Sequence, residues 1–249
     1  MKLTLLQMVQ DILNDMDSDN VNSIDDTVES AQVAQILKTC YNEMMTNRNW
    51  PHQRKLVQLD GSGTTSRPNY LSVPVNIKEM EMLSYDKRKT GETRLRMEEL
   101  KYKEPDDFLR YISTRNGDDD HTVTITDFSG TKLLIRNDVA PTYWTSFDDT
   151  YLVTDAYEVS KETTLQQSKS QCMAYLVPVW NRSNEAIPEL PIDAFPALLS
   201  EAKSTAFLVL KQVANQKAEQ TAQRQQRWLS RKAWRAAGGI QYPNYGRKK

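Results

Sequence analysis

The sequence predicts an α+β protein: a helical bundle built from its N- and C-terminal segments, an inserted antiparallel β-rich domain of sandwich or barrel type, and an extended C-terminal arm. Three observations carry this expectation. Apolar residues recur at helical spacing up to Trp50 and again beyond Pro191. Between Arg54 and Val179 the pattern shortens to runs of β-branched and aromatic residues divided by turn formers. From Lys217 the chain turns basic, with nine Lys/Arg against the single acid Glu219, a net of +8, where residues 1–216 sum to −9.

In chain order, Leu5, Val9, Ile12 and Met16 share one helical face, so a first amphipathic helix is expected over about residues 3–16. The turn-rich stretch DMDSDNVNSIDD follows. A second helix should start near Asp26 or Thr27 and reach about Asn47. Its apolar face is Val33, Leu37, Cys40 and Met44, widened by Ile36, Tyr41 and Met45. Trp50-Pro51 closes it, because proline disfavours helix in the residue before it. Residues 1–52 therefore read as a helical hairpin.

Residues 53–186 read as the β-rich insertion. KLVQLD, NYLSVPVN, EMEMLSYD, RLRMEEL, HTVTITDF, KLLIRN, TYWTSF, TYLVTD and CMAYLV are its candidate strands, with a short helix at PDDFLRYIS. Spacing this dense favours an antiparallel sandwich or barrel over βαβ units. Residues 187–216 return to helix, with Asp193 as expected N-cap and Pro196 in the first turn, where its missing N–H costs nothing. Leu199, Ala202, Ala206, Val209 and Val213 form the expected apolar face. Beyond Val213 that face stops, and residues 214–226 are good helix formers with little to bury. Such a segment projects into solvent or lies on a partner, and before attachment it is expected to be mobile or folded back.

Residues 217–249 form the basic arm. Arg224, Arg227, Arg231 and Arg235 follow at steps of three and four, one stripe on a helix, with Trp228 and Trp234 among them. Gly238-Gly239 ends any helix there, and Tyr242 and Tyr245 follow. Two readings stand. Arginine with interleaved tryptophan suits phosphate contact and base stacking, hence a nucleic-acid-binding tail. The same residue types are those enriched at interface hot spots, hence a docking peptide in which Trp and Tyr anchor while Arg meets an acidic surface. The composition favours docking.

Other chemistry finds little support. The two histidines, His52 and His121, stand apart, and no G-x-S-x-G, H-E-x-x-H or C-x-x-C occurs, so no enzyme and no cofactor is expected. The Gly61–Thr65 run lacks the lysine of a phosphate loop and reads as a hairpin tip. Asp15, Asp17, Asp19 and Asp26 alternate as in a calcium loop, but Asn20 stands where glycine is needed, so a linker is expected. Asp118-Asp119-Asp120-His121 reads as a turn. Cys40 and Cys172 sit in apolar surroundings and are expected as thiols, which with the lack of a membrane-spanning run points to cytosolic synthesis.

Two segments resemble a known family. They are the helix entry Val21-Asn22-Ser23-Ile24-Asp25-Asp26-Thr27-Val28-Glu29-Ser30-Ala31-Gln32-Val33-Ala34, and Arg227-Trp228-Leu229-Ser230-Arg231-Lys232-Ala233-Trp234-Arg235 with Gly238-Gly239-Ile240 and Tyr242-Pro243-Asn244-Tyr245-Gly246. They are similar to the head-to-tail adaptors (tail tubular protein A-like, or head completion proteins) of short-tailed bacteriophages. That resemblance implies a structural virion protein, made in the host cytoplasm, that forms a homo-oligomeric ring, usually of twelve copies, beneath the portal. It further implies a channel through which genomic DNA passes without specific binding, and a surface for the tail nozzle or fibres, with no membrane involved. In the family a C-terminal extension embeds along the portal. Carried onto this chain, the portal-docking residues are Arg224, Arg227, Trp228, Arg231, Trp234, Arg235, Tyr242 and Tyr245.

Overall fold

A computed structural model describes residues 2–88 and 91–231. It is an α+β fold in which N- and C-terminal helices flank a multi-stranded β region, divided into two compact units. One comprises Met1–His52 with Pro178–Lys249, the other Gln53–Val177.

In the helical unit, α1 (Leu5–Asp15) begins with a capping box. Thr4 accepts from the Gln7 N–H while the Gln7 side chain accepts from the Thr4 N–H. The Leu5 and Leu6 N–H groups, which no helix can satisfy itself, donate to the carbonyls of Ala186 and Asn184. Helix α2 (Val28–Thr46) starts from Thr27 with a second capping box through Ser30. The Trp50 indole donates to the Met44 carbonyl at 2.7 Å, so the closing aromatic also satisfies one of the last carbonyls of the helix. Leu5, Val9, Ile12 and Met16 are all buried, as are Val33, Leu37, Cys40, Tyr41 and Met45.

A 3-10 turn (Ile192–Ala194) leads into α4 (Phe195–Leu210); α3 lies in the other unit. Two expectations fail here. Asp193 lies inside the 3-10 turn rather than at the N-cap of α4; the residue before α4 is Ala194, with no side-chain cap. The buried line of α4 is Leu198, Ala202 and Ala206, whereas Val209 and Val213 are 60% and 59% exposed. Helix α4 is apolar around most of its circumference, so its spacing alone did not say which face turns inward. Lys203 bonds Asp11 and Asp15 at 2.9 and 2.6 Å and ties α4 to α1.

The β unit holds eleven strands among the described residues. β1 (Arg54–Val57), β4 (Ile77–Asp86), β5 (Met97–Glu99) and β11 (Ser170–Leu176) form a sheet ordered β1-β11-β4-β5. β2 (Asp60–Gly61), β3 (Tyr70–Ser72), β6 (Lys101–Tyr102), β9 (Tyr143–Ser146) and β10 (Tyr151–Thr154) form a second, ordered β2-β3-β10-β9-β6. β7 (Thr122–Thr126) and β8 (Lys132–Arg136) make a separate hairpin. The ladders are antiparallel except β6 with β9, which is parallel. Neither larger sheet closes on itself.

Leu83, Tyr85 and Cys172 of the first sheet, Tyr70, Leu152 and Val153 of the second, and Ile125 and Leu133 of the hairpin share one core. The short helix α3 (Pro105–Ser113) adds Phe108 and Ile112 to it. Gly61 is required for space: a Cβ there would lie 2.0 Å from the Leu165 carbonyl oxygen.

Candidate functional site

The basic stripe begins on a fifth helix, α5 (Gln216–Arg231), and its placement follows from the turn before it. Helix α4 ends at Leu210 with Lys211 as its C-cap, after which Gln212 adopts the left-handed conformation, with φ of 54°. The Val213 N–H bonds back to the Phe207 carbonyl at 3.3 Å, and the Asn215 side chain accepts from the Ala218 N–H at 3.1 Å to start α5. Glutamine pays more than glycine in that conformation, and the asparagine cap helps offset it. The chain thus turns and α5 packs on α4. The arm, as far as residue 231, is therefore not extended.

Ala218, Ala222, Gln225 and Leu229 form the inward face of α5 at steps of four, three and four. Ala222 and Leu229 are buried to 1% and 3% exposure, and Leu229 enters the core of the helical unit. Arg48 reaches from beyond α2 to donate to the Leu229 carbonyl at 3.3 Å, and the Gln226 amide donates to Glu201 of α4 at 3.2 Å. None of these residues drew attention in the sequence as anchors. The signal was there as an alanine–leucine line at helical spacing, too small in side-chain area to stand out among glutamines.

Away from that face, Arg224 and Arg227 are exposed, and Trp228, at its flank, is half exposed. These three expected docking residues are brought together on one outward surface. Arg231 is the last residue of α5. Trp234, Arg235, Tyr242 and Tyr245 lie outside the described residues.

The α4–α5 contact carries an electrostatic tension. Burial, together with the carboxylates of Glu43 on α2 and Glu219 on α5, raises the Glu201 carboxyl above the ordinary glutamate range. Close by, burial pushes the Cys40 thiol up to about 11, so it behaves as a packing residue rather than a nucleophile. Cys172, at the centre of the first sheet, is likewise raised by burial to about 11. Both cysteines are free, and they belong to different units.

The remaining candidate residues are occupied locally. Asp26 accepts from the N–H groups of Asn22 and Ser23, each at 2.7 Å, and Asp15 pairs with Lys203. Asp119 accepts from the His121 N–H, and Asn116 accepts from the Asp118 N–H, so that acidic run forms a turn. Among the described residues no group of three or more His, Cys, Asp or Glu is gathered as a metal ion would need, and no helix is long and apolar enough to cross a membrane.

The fold and surface define an α+β chain with a basic, tryptophan-bearing outward helix on its helical unit. No protein-family model and no curated protein matches the chain.

Proposed function

We propose that this chain is a structural virion protein, a head-to-tail adaptor subunit that attaches below a phage portal through its basic C-terminal segment. The observation that carries the proposal is the outward face of α5, where Arg224, Arg227 and Trp228 stand together on a helix anchored to the body by Leu229. Arg and Trp are the residue types that dominate binding energy at protein interfaces, and here they lead directly into the remaining basic and aromatic residues. The resemblance of residues 21–34 and 227–246 to phage adaptors supplies the identity of the partner.

On this reading the helical bundle forms the ring body, joined by subunits of the same chain in a ring of about twelve. The sandwich-like β insertion presents the surface for nozzle or fibres. The arm beyond Arg231 extends along the portal. A body that sums to −9 suits a conduit, because every phosphate contact would add salt-dependent affinity and slow the genome's passage. The same Arg/Trp surface also suits nucleic acid, which makes DNA binding the second reading.

Truncation after Arg231 separates the two. It removes Trp234, Arg235, Tyr242 and Tyr245 but keeps Leu229 in the core, so the body stays folded. Adaptor function predicts loss of portal attachment with DNA affinity little changed. A nucleic-acid tail predicts loss of strong, salt-sensitive DNA binding instead.

A further inference from the structure

The β unit contains a cavity of about 250 Å³ lined by Tyr70, Phe128, Phe147 and Tyr151 together with Asp127 and Asp148. An apolar cavity of roughly 150 Å³ is known to accept benzene, so this one has room for a planar group and part of its stem. Its aromatic wall is ordered. Phe128 and Tyr151 stack at 4.8 Å with 23° between planes, and Tyr70 meets both edge-on at 5.8 and 6.3 Å. Phe128 is 52% exposed and Phe147 36%, so the rim is open to an incoming group.

The charge of the lining points one way. Two carboxylates border the cavity, and its lining includes no lysine or arginine. Burial disfavours the ionised form of Asp127. The donors set against it, the Ser129 O–H and N–H, the Tyr70 O–H and the Phe128 N–H, outweigh burial and hold this carboxyl below the ordinary range. Asp148 accepts from the N–H groups of Thr150 and Tyr151 at 3.0 Å each. Ring faces add negative potential of their own. The chain already uses that potential once: the Arg67 guanidinium stands 3.8 Å from the centroid of Phe128.

We propose that this cavity receives a cationic side chain, arginine or lysine, from a partner protein. An anion would face two carboxylates. A neutral ring would desolvate them without compensation. A guanidinium or ammonium group adds a counter-charge to the two carboxylates and meets the open part of the aromatic wall, while its methylene stem covers Phe147 and the edge of Phe128, whose ring already carries Arg67 and Tyr151. The inference does not depend on the adaptor reading, since it rests on this cavity alone.

The test uses the full-length protein and two small probes of the same shape, N-acetyl-arginine methylamide and its uncharged counterpart N-acetyl-citrulline methylamide, followed by NMR shifts of the Tyr70 and Tyr151 rings. The arginine probe is expected to bind about tenfold more tightly than the citrulline probe, and less tightly as salt rises. Asp148→Asn keeps the acceptor that shapes the loop and removes the charge, and should weaken the arginine probe several-fold. Phe147→Ala, which removes a rim ring that also meets the edge of the buried Phe108 at 6.2 Å, should weaken it as well, in a variant whose unchanged melting temperature shows that the core is kept. Equal binding of the two probes, binding of neither, or shifts confined to other residues would overturn the proposal.

Discussion

A buried polar network ties parts of the β unit together. Asp155 is 4% exposed, and its Oδ1 accepts from the N–H groups of Thr142 and Tyr143 at 2.9 and 2.8 Å. Its Oδ2 meets Arg115 at 3.2 Å, and the other arm of that guanidinium donates to the carbonyls of Leu134 and Asp155 itself. One ion pair thus closes α3, β8 and β9 together. Removing one member leaves a buried charge without its counterion, which typically costs about 3–5 kcal/mol. Asp155→Ala is therefore expected to destabilise the β unit by that order in chemical denaturation, and a loss under 1 kcal/mol would contradict the account. Glu201 makes the opposite case, a half-buried acid that is uncomfortable when charged. Because its folded-state pKa is raised, the stability it contributes is present below the unfolded-state value and is lost as pH rises through the folded one. Glu201→Gln should raise the melting temperature of the helical unit at neutral pH and flatten its decline from acidic to neutral pH. A variant less stable than the parent at pH 7 would refute this reading.

At the scale of elements, α5 decides how the basic surface is presented. Its docking rests on a narrow line of small residues and on Leu229, with the Arg48 and Gln226 hydrogen bonds beside it. Burying a leucine in this way contributes on the order of 2–5 kcal/mol relative to alanine. Leu229→Ala should loosen α5 from α4, so that amide exchange of residues 218–230 rises while that of α1 and α2 is unchanged. Equal protection in parent and variant would show that α5 is held by something else. Elements also mark how far the sequence could be read. Both capping-box helices were legible, because Thr27 and the apolar line from Val33 to Met45 each leave a local signature. The strands were legible as runs, yet KLVQLD was split: β1 ends at Val57 and β2 starts only at Asp60, with the buried Leu59 between them. The α4–α5 turn was not legible. It uses Gln212 in place of the glycine that usually announces such a stop, and only one residue of the face it brings in, Leu229, is a large apolar one. Nor did any local pattern announce the aromatic cavity, since Tyr70, Phe128, Phe147 and Tyr151 come from different strands and loops and meet only in the folded unit.

At the scale of the molecule, the segment from Lys217 carries +8 and the rest of the chain −9. Residues up to Arg231 place part of that positive charge on the outer face of a docked helix, so the chain presents a cationic, tryptophan-bearing surface from a fixed platform. For the proposed adaptor the platform orients the arm toward an acidic partner, and the aromatic residues beyond it supply most of the contact energy. The most direct measurement is co-sedimentation of the cognate portal with the full chain and with a chain ending at Arg231, accompanied by a DNA-binding titration at two salt concentrations. The shortened chain is expected to keep its helical and β signatures, to lose portal attachment by about 100-fold or more, and to change little toward DNA. Undiminished portal attachment together with a collapse of salt-sensitive DNA affinity would contradict the adaptor account.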